Sequence, residues 1–521
     1  MYKPTKEQQI SWFDSRFVCE NLFAKNILYR EIRQICDEFI QKIDFTPLYC
    51  PDNGRPAKPE VLMKALVLQR LFNLSDRQLE EACRFDIRYK YILGLELDDM
   101  GFDHSVFGKF RDRLLVSQKH KEALFELVKM ITDAGLIKQN ESQRTDSFHI
   151  IANVAVPAAS ELIREGIRIC LRQLKRRHYK LFCQAQEKLD TTKYLKGDLA
   201  KELKPEPDEF LRRLRLTEIV EDAKALIAFL DRDLHPSVAY RRSVLIRLLY
   251  ENTEPTEKGC QESKETHPDR IISADPEARH GAKSKTKKFN GYKAHVTETV
   301  ESKFIANITV TPGNVADSEP VVENTQEIVT ETELTPEKMI GDGAYGTGEN
   351  RQQLKEMGIQ LVAPPHPQAI SEDLANGNFS YDPEKQTVKC PAGIITAKKT
   401  YNENSQAWVY RFPKEACCVC ELRCTKNKNG RTISVNKYYQ VQMEALEYSK
   451  TEEYKLEIKK RCPIEGTGAE LVYHHGLRRA RYWGCVKVEF QAVLTALAVN
   501  IKRWANIRLA SLKPVKTGPA V

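Results

Sequence analysis

The sequence predicts a mixed α/β fold, with a sheet that has an antiparallel portion, a helical N-terminal domain and two insertions. Three observations lead to this prediction. Before about residue 140, apolar residues recur at helical spacing. "RTDSFHIIANVAV" (144–156) is short, apolar and β-branched, as a strand is. Between residues 291 and 364, strand-like and helix-like segments alternate, which predicts a sheet with both antiparallel and parallel pairs.

The helical N-terminal domain is predicted to span residues 1–140. "PEVLMKALVLQRLFNL" repeats apolar side chains at helical spacing, and "SDRQLEEACRFD" begins with a serine N-cap. "DHSVFGKFRDRL" predicts a capped helix that starts near Asp103 and carries Lys109, Arg111 and Arg113. Short capped helices with a basic last member are typical of a helix-turn-helix-like DNA-binding domain. A plain helical bundle with a solvated basic face explains them equally well.

The catalytic core is predicted from three blocks, 141–157, 268–365 and 436–510. The first block holds the strand described above. In the second, "GYKAHVTETV" and "KFIANITVTPGN" predict a hairpin. A helix, the strand of "EKMIGDGAYG", a helix closed by Gly358 and the strand of "IQLVAPP" follow it. The third block ends in the helix of "VEFQAVLTALAVNIKRWANIRLA".

Two insertions separate these blocks. Residues 158–267 are predicted to be a helical insertion with a basic stretch, "REGIRICLRQLKRRHYK", and a polar linker, "TEPTEKGCQESKETHPD". Residues 366–435 form a polar, Cys-rich insert, and residues 511–521 are predicted to be a flexible tail.

Composition limits the classes of function. The 521 residues include 81 Lys and Arg against 72 Asp and Glu, a net charge of +9. This excess suits a polyanionic partner or a solvated surface. No stretch approaches the roughly 18 apolar residues of a membrane span, and "MYKPTKEQQISWF" has no signal-peptide core. We therefore expect a cytoplasmic protein with no membrane partner, whose 14 cysteines are not paired in disulfides.

Three acidic residues are predicted at the ends of elements. Asp146 is on the first strand, Asp342 ends a later strand between two glycines, and Glu465 lies in a first helical turn after Pro463. A mixed sheet can bring such positions together, where three carboxylates would repel one another unless Mg²⁺ or Mn²⁺ ions lay between them. Two such ions activate an attacking oxygen and stabilise the leaving oxygen. Taken singly, each acid is explained as well by a turn, a cap or a surface position.

The Cys-rich insert contains a candidate metal site. Its cysteines form a C-x₂-C-x₃-C group with a fourth cysteine upstream: Cys390, Cys417, Cys420 and Cys424. Four thiolates can make a closed tetrahedral Zn²⁺ site, which would stabilise a segment with few apolar residues. Reduced cysteines in a small β insert are the alternative.

A basic run, "HHGLRRARYWG", follows the third acid and contains Arg478, Arg479 and Arg481. Arginines beside aromatic side chains suit phosphate binding and base stacking. Packing of Tyr482 and Trp483 on the sheet is the alternative for the aromatic residues.

Several motifs in order resemble those of DDE-type bacterial insertion-sequence transposases, most closely the IS1182 family (IS5/IS4-like), over nearly the whole chain. "TDSFHIIANV" resembles the first-aspartate motif, "GDGAYGTGENR" the second, and "RCPIEGTGAELVYHHGLRRARYWG" the glutamate motif. The resemblance gives the catalytic, metal-binding roles to Asp146, Asp342 and Glu465 and a DNA-binding role to Arg461. Glu470 is the rival third acid. Asp275, in "SADPEARHG", is interpreted as structural or as a support for the catalytic acids.

The resemblance implies an RNase H-like core of the retroviral-integrase type, a divalent metal and double-stranded DNA as substrate. The implied protein binds terminal inverted repeats, cleaves DNA at the element ends and joins the 3′-OH to target DNA. It would act as at least a dimer and associate with the bacterial nucleoid. The alternatives are an RNase H-like nuclease without strand transfer and a catalytically silent DNA-binding protein. Related families carry a tyrosine and a lysine where this chain has Ile458 and Val472.

Overall fold

A computed structural model gives the fold of the chain. It describes residues 2, 12–24, 27–50, 57–154, 158–195, 208–231, 233–257, 259–265, 267, 269–282, 286–365, 370–427 and 429–512. The predicted tail lies outside these ranges from residue 513 onward.

Helices form the N-terminal part, most of the first insertion and the C-terminal part. In chain order they are α1 (Ser15–Val18), α2 (Glu20–Phe23), α3 (Ile27–Ile40), α4 (Pro59–Leu71), α5 (Asp76–Phe85), α6 (Ile87–Leu93), α7 (His104–Ser117), α8 (Lys119–Asp133), α9 (Ala159–Arg177), α10 (Tyr179–Lys188), α11 (Thr192–Leu195), α12 (Glu209–Phe229), α13 (Pro236–Asn252), α14 (Val321–Thr332), α15 (Gly348–Glu356), α16 (Glu372–Ala375), α17 (Lys414–Cys418), α18 (Tyr439–Ser449), α19 (Glu452–Glu457), α20 (Ile464–Ala469) and α21 (Cys485–Leu512). A 3₁₀ turn at Ile458–Arg461 precedes α20, and a π-helical turn at Glu470–His474 follows it.

The strands are shorter and lie mostly in the middle of the chain. They are β1 (Gln143–Ile151), β2 (Thr253–Thr256), β3 (Gly259–Glu262), β4 (Arg279–Ala282), β5 (Lys288–Thr299), β6 (Ile305–Pro312), β7 (Lys338–Ile340), β8 (Gln360–Val362), β9 (Ser380–Asp382), β10 (Thr387–Lys389), β11 (Ile395–Thr396), β12 (Lys399–Asn402), β13 (Ala407–Arg411) and β14 (Thr432–Asn436).

The central sheet is mixed, which confirms that part of the fold prediction. β5 pairs antiparallel with β1 on one side and with β4 and β6 on the other. β7 pairs parallel with β1 on one side and with β8 on the other. The order across the sheet is therefore β6–β5–β1–β7–β8, with β4 beside the start of β5. The antiparallel and parallel halves meet at β1.

Several helices begin and end where the sequence predicts. Ser75 caps α5 in a capping box with Gln78, because each side chain accepts a hydrogen bond from the other residue's backbone. Asp103 caps α7 by accepting from the Ser105 N–H at 2.8 Å. After α15, Gly358 adopts a φ of +78°, which only glycine adopts without strain.

One hydrophobic core joins the N-terminal helices to the sheet. α21 runs through its centre and packs against β6 as well as α3, α4 and α8. The predicted domain boundary at residue 140 therefore does not divide the hydrophobic core, which includes residues from both sides of it. The division into domains stays a prediction.

Helices cover both faces of the parallel half of the sheet. Met339 on β7 packs with Leu354 of α15 on one face. Its neighbour Ile340 packs with Val362 and with Tyr454 of α19 on the other. Burial on both faces is typical of parallel strands.

The helical insertion has its own core between α9, α12 and α13, but its linker is not a plain connection. Residues 253–256 and 259–262 form the antiparallel hairpin β2–β3, within the stretch that the sequence analysis interprets as a polar linker. The Cys260 N–H donates to Thr217 Oγ1 on α12 at 2.9 Å. Gly259, at a φ of +111°, lies so close that a Cβ would be 2.4 Å from the same oxygen. Polar strand residues hid this hairpin from the sequence pattern.

The Cys-rich insert contains two small antiparallel sheets, β9–β11 and β12–β14. It has more apolar packing than its composition suggested. The side chains of this small core are Leu374, Phe379, Val388, Tyr410, Phe412, Ile433 and Val435. None of the helices in the described ranges combines the length and apolar character needed to cross a bilayer.

Candidate active site

Asp146 and Asp342 reach the same point from neighbouring parallel strands. The last paired residues of β1 and β7 are Arg144 and Ile340. Each aspartate lies two residues further along its own strand direction. Because paired parallel strands advance together, this register brings the two acids to the same level beside each other.

Glu465 approaches from a helix that packs on β1. α20 begins at Ile464, directly after Pro463, and places Glu465 in its first turn. Gly468 of the same helix lies so near Phe148 on β1 that a Cβ there would be 3.7 Å from the ring. All three acids consequently line one cleft of about 570 Å³.

Arg461 lies between two of the acids. Its Nη1 is 3.9 Å from Asp146 Oδ2, and its Nη2 is 3.5 Å from Glu465 Oε1. Charge-assisted hydrogen bonds are about 2.7–2.9 Å long, so the guanidinium reduces the repulsion without saturating the carboxylate oxygens. The oxygens of the three acids do not all lie within 4.8 Å of one another. The side chain of Glu465 is 67% exposed.

The environment of Asp146 disfavours its charge. Burial raises the pKa of its carboxyl group, and the charges of Asp342 and Glu465 raise it further. The Ser147 N–H, which donates to Asp146 at 2.8 Å, and the charge of Arg461 oppose this effect without cancelling it. A carboxylate in this state is stabilised by a bound cation.

Glu470, the rival third acid, forms ion pairs with the C-terminal helix and does not line the cleft. Lys502 and Arg503 on α21 lie 3.1 and 2.9 Å from its oxygens, and His475 lies at 3.9 Å. His475, Arg503 and Lys502 hold the pKa of Glu470 well below its ordinary value. The structure therefore brings Glu465, and not Glu470, to the cleft with the two aspartates.

The glycine before Asp342 makes room for an aromatic ring. A Cβ on Gly341 would lie 2.9 Å from the ring of Tyr345. Tyr345 is 1% exposed and packs beneath the turn, where its N–H donates to the Asp342 carbonyl at 3.2 Å. Tyr345 is thus a packing residue that shapes the turn.

Asp275 is structural, one of the two roles that the sequence analysis considers for it. It is fully buried and accepts hydrogen bonds from the Tyr292 hydroxyl and, at 3.1 Å, from the Gly484 N–H. These bonds connect the loop before β4 to the start of α21.

Three further residues of the cleft, Lys293, Asp317 and Phe289, were not recognised from the sequence. Lys293 on β5 pairs with Asp317 at 2.9 Å. His149, which lies opposite Lys293 in the strand register, stacks on Phe289 with ring centroids 4.8 Å apart. Arg478 donates to His149 Nε2 at 2.8 Å. The available signal was the alternation of polar side chains along two strands that the sequence already predicts as neighbours in one sheet.

Five of the predicted DNA-binding residues are accessible. Arg461 and Arg478 line the cleft. Arg479 is exposed beside it in sequence, and Lys109 and Arg113 are exposed on α7. Their contact with DNA stays a prediction.

Two of the predicted DNA-binding residues hold the protein together. Arg111 is 8% exposed, and its Nη2 pairs with Asp76 at 2.5 Å. Arg481 donates to the Leu74 carbonyl at 2.5 Å and to Asn73 Oδ1 at 2.6 Å. These bonds join the N-terminal helices to one another and to the loop after α20, so both residues have a structural role. Their contact with DNA stays a prediction.

Of the two aromatic residues in the basic run, Tyr482 packs against the N-terminal helices. Arg70 Nη2 donates to the Tyr482 hydroxyl at 3.0 Å, and the guanidinium of Arg111 lies 5.6 Å from its ring. Trp483 is 42% exposed.

The cysteines proposed from the sequence as zinc ligands line a second, small cavity of about 20 Å³. They are Cys390, Cys417, Cys420 and Cys424. The Arg431 N–H donates to Cys417 Sγ at 3.5 Å. No three of these four sulfur atoms lie within 4.8 Å of one another, so the closed tetrahedral arrangement is not preformed. Cys418 is exposed and lies outside the cavity lining.

Comparison with known families decides the identity. The family described as "Transposase domain (DUF772)" matches residues 17–113. The family described as "Transposase DDE domain" matches residues 389–505. Both matched families are transposase families, and together they support a DDE-type insertion-sequence transposase. Membership of the IS1182 family is consistent with both domains. No curated protein and no solved structure matches the chain.

DNA cleavage and strand transfer are the general function of this family, and the transposase acts on DNA with a divalent metal. The second matched range contains Arg461 and Glu465 on α20 and the turn before it. Asp146 and Asp342 lie outside both matched ranges, so their assignment rests on the geometry of the cleft.

Proposed function

We propose that this transposase binds the terminal inverted repeats of an insertion sequence, cleaves DNA at the element ends and joins the 3′-OH to target DNA. One observation carries the proposal. Asp146, Asp342 and Glu465 come from three distant stretches of chain and converge on one cleft. Acids that serve only as turn or surface residues are not expected to cluster in one cleft, where their charges repel one another.

The sheet supports an RNase H-like core of the retroviral-integrase type. Three antiparallel strands, β6, β5 and β1, continue into the parallel strands β7 and β8. The proposed first acid is on the central strand, and the second follows the adjacent parallel strand.

Asp146, Asp342 and Glu465 would hold two Mg²⁺ or Mn²⁺ ions. When bound, such ions activate the attacking water or 3′-OH and stabilise the leaving oxygen. Hard oxygen ligands suit these cations. Burial and the charges of Asp342 and Glu465 raise the pKa of Asp146, so a nearby cation would stabilise its ionised form. Arg461 keeps the acids near one another without saturating them. Lys293 and Arg478 place positive charge on the cleft wall, where DNA phosphates would approach.

Two element ends must be processed together, so we propose that the active complex contains at least a homodimer. Lys109, Arg113 and Arg479 would contact DNA backbone outside the cleft. Nucleoid association would follow from this DNA binding.

The test of function is strand cleavage and joining of a labelled terminal-repeat duplex in Mg²⁺. We expect Asp342→Asn to lose both reactions by about 10²-fold or more, the scale for removing one preorganised charge-stabilising group, while it still binds the duplex. Asp133→Asn, at an exposed aspartate that ends α8, is the control and should behave as the wild type.

The outcomes separate the candidate functions. Equal activity of Asp342→Asn and the wild type would remove Asp342 from the site. Cleavage without joined products would indicate the nuclease. Tight binding with no cleavage by the wild type would indicate the silent DNA-binding protein.

We further propose a structural Zn²⁺ site at the four cysteines that line the small cavity. Cys390 begins a turn that the Gly393 N–H closes at 2.9 Å, and Cys417 lies near the end of α17. Four sulfur ligands from these turns would give a closed site with no open position for catalysis. Since the sulfur atoms are further apart than such a site requires, binding would draw the turns together and stabilise the insert.

Purified transposase should accordingly contain about one Zn²⁺ per chain by the stoichiometry of a closed four-cysteine site. Cys417→Ser should lose the metal and lower the melting temperature of the insert, because metal binding is coupled to its folding. Cys418→Ser, at the adjacent exposed cysteine, is the matched control and should keep both. The measurement is metal analysis together with calorimetry. Equal zinc content in the two variants would contradict the site.

A further inference from the structure

The helix that carries Glu465 is tied to the sheet by a buried hydroxyl group. Thr467, two residues after Glu465, is 5% exposed. Its Oγ1 donates to Glu298 Oε2 on β5 at 2.6 Å. Thr467 Oγ1 also accepts a hydrogen bond from Arg503 Nη2 on α21 at 2.9 Å. Thr467 thus joins α20 to both the sheet and the long C-terminal helix.

Glu298 also holds the other end of the segment that contains Arg461 and Glu465. Arg144 on β1 donates to Glu298 Oε1 through Nε at 2.7 Å, and both side chains are buried. Arg144 Nη1 donates to the carbonyl of Lys460 at 2.9 Å. Residues 460 and 467 are therefore both tied to one carboxylate–guanidinium pair, and Arg461 and Glu465 lie between them.

α21 provides a fixed reference for this arrangement. Asn500, one turn before Arg503, accepts from the Ile305 N–H at 2.9 Å and donates to the Ile305 carbonyl at 2.8 Å. Arg503 Nη1 donates to the carbonyl of Lys303 and lies 3.4 Å from Glu298. The position of Arg503 relative to the antiparallel strands is thus set by several bonds.

A buried ion pair is a poor source of stability, because desolvation offsets most of its attraction. The pair of Arg144 and Glu298 lies close to the proposed site, because Arg144 is two positions before Asp146 on β1 and contacts the carbonyl of Lys460. Thr467 and Arg503 also contact Glu298. We call these four residues, Glu298, Arg144, Thr467 and Arg503, the Glu298 network. We propose that the Glu298 network positions Glu465 against the two aspartates and thereby sets the affinity of the cleft for divalent metal. These are positioning residues, and the inference rests on the proposed function of the three acids.

Thr467→Val tests the network, since valine keeps the shape of threonine and removes its hydroxyl. The full-length chain is bound to a terminal-repeat duplex, and its Mn²⁺ affinity is measured by electron paramagnetic resonance. Cleavage is measured separately as a function of Mg²⁺ concentration. We expect Mn²⁺ affinity to fall by about 10- to 100-fold, the usual effect of removing a group that orients a metal ligand. The Mg²⁺ needed for half-maximal cleavage should rise by a similar factor, and Thr467→Ser should restore both.

Thr325→Val is the matched control, because its buried hydroxyl donates to the Val321 carbonyl of its own helix at 2.7 Å. It should leave metal affinity unchanged. An unchanged Mn²⁺ affinity in Thr467→Val, or an equal loss in Thr467→Ser, would overturn the inference. Glu465→Gln distinguishes failure of the proposed function from failure of the positioning network alone. If it binds Mn²⁺ and cleaves as the wild type does, the proposed function fails. If it loses both while Thr467→Val is normal, only the positioning network fails.

Discussion

The Asp146→Asn variant should be catalytically silent and, without divalent metal, more resistant to heat than the wild type. Burial and the charges of Asp342 and Glu465 raise the pKa of Asp146, so its charged form is disfavoured in the folded protein. Asparagine carries no charge and escapes this penalty. Strand cleavage should fall by about 10²-fold or more, because one preorganised group at the reacting phosphate is lost.

The pH dependence has a defined sign. A carboxyl group whose pKa is raised by folding is more easily protonated in the folded state. Its favourable contribution is fully present below the unfolded pKa, about 3.9 for aspartate, and is lost as pH rises through the higher folded pKa. The advantage of Asp146→Asn should therefore be largest near pH 7 and shrink towards pH 4.

Calorimetry with and without Mg²⁺ checks this prediction. Wild type should gain stability with metal, by about 2.7 kcal/mol when the free ion is at 100 times its Kd. Asp146→Asn should gain far less. A variant that is less stable than the wild type without metal, or that gains as much from Mg²⁺, would contradict the electrostatic account of the cleft.

The second large effect concerns the ion pair beneath the glutamate helix. Arg144→Met should lower the free energy of unfolding by about 3–5 kcal/mol, because Glu298 would remain buried without its closest cation. The measurement is denaturant or thermal unfolding of the full-length chain.

Arg84→Met provides the comparison, since its pair with Glu80 is partly exposed, with side chains 33% and 21% accessible. Such pairs contribute about 0–1 kcal/mol. If Arg144→Met costs no more than Arg84→Met, Glu298 is not held as the structure indicates. Replacing Arg144 and Glu298 together by apolar residues should recover part of the stability. It should not restore metal affinity, because the tie to Thr467 would still be absent.

The sequence could predict those parts of the site that depend on local pattern. Ser75 and Asp103 cap helices through contacts within three residues, so their positions can be recognised directly. Asp146 lies within β1 and Asp342 lies two residues after β7, and the parallel register of these two strands brings the acids together. Glu465 was distinguishable from Glu470 through the motif around it.

Long-range partners could not be predicted in this way. Arg144 and Glu298 are 154 positions apart, and Arg481 meets Asn73 across 408 positions. A buried arginine in an ion pair and an arginine exposed to solvent have the same sequence signature, so the pairing of Arg111 with Asp76 could not be recognised from the sequence. The hairpin of β2 and β3 could not be recognised because its strands are polar and depend on packing against α12.

The most direct test of the central claim is anomalous diffraction from the transposase bound to a terminal-repeat duplex in Mn²⁺. The account predicts anomalous peaks in the cleft, in contact with carboxylate oxygens of Asp146, Asp342 and Glu465, and a displaced Arg461. Mn²⁺ bound without contact to Asp342 or Glu465, or a cleft that holds DNA with no Mn²⁺ between the three acids, would contradict it.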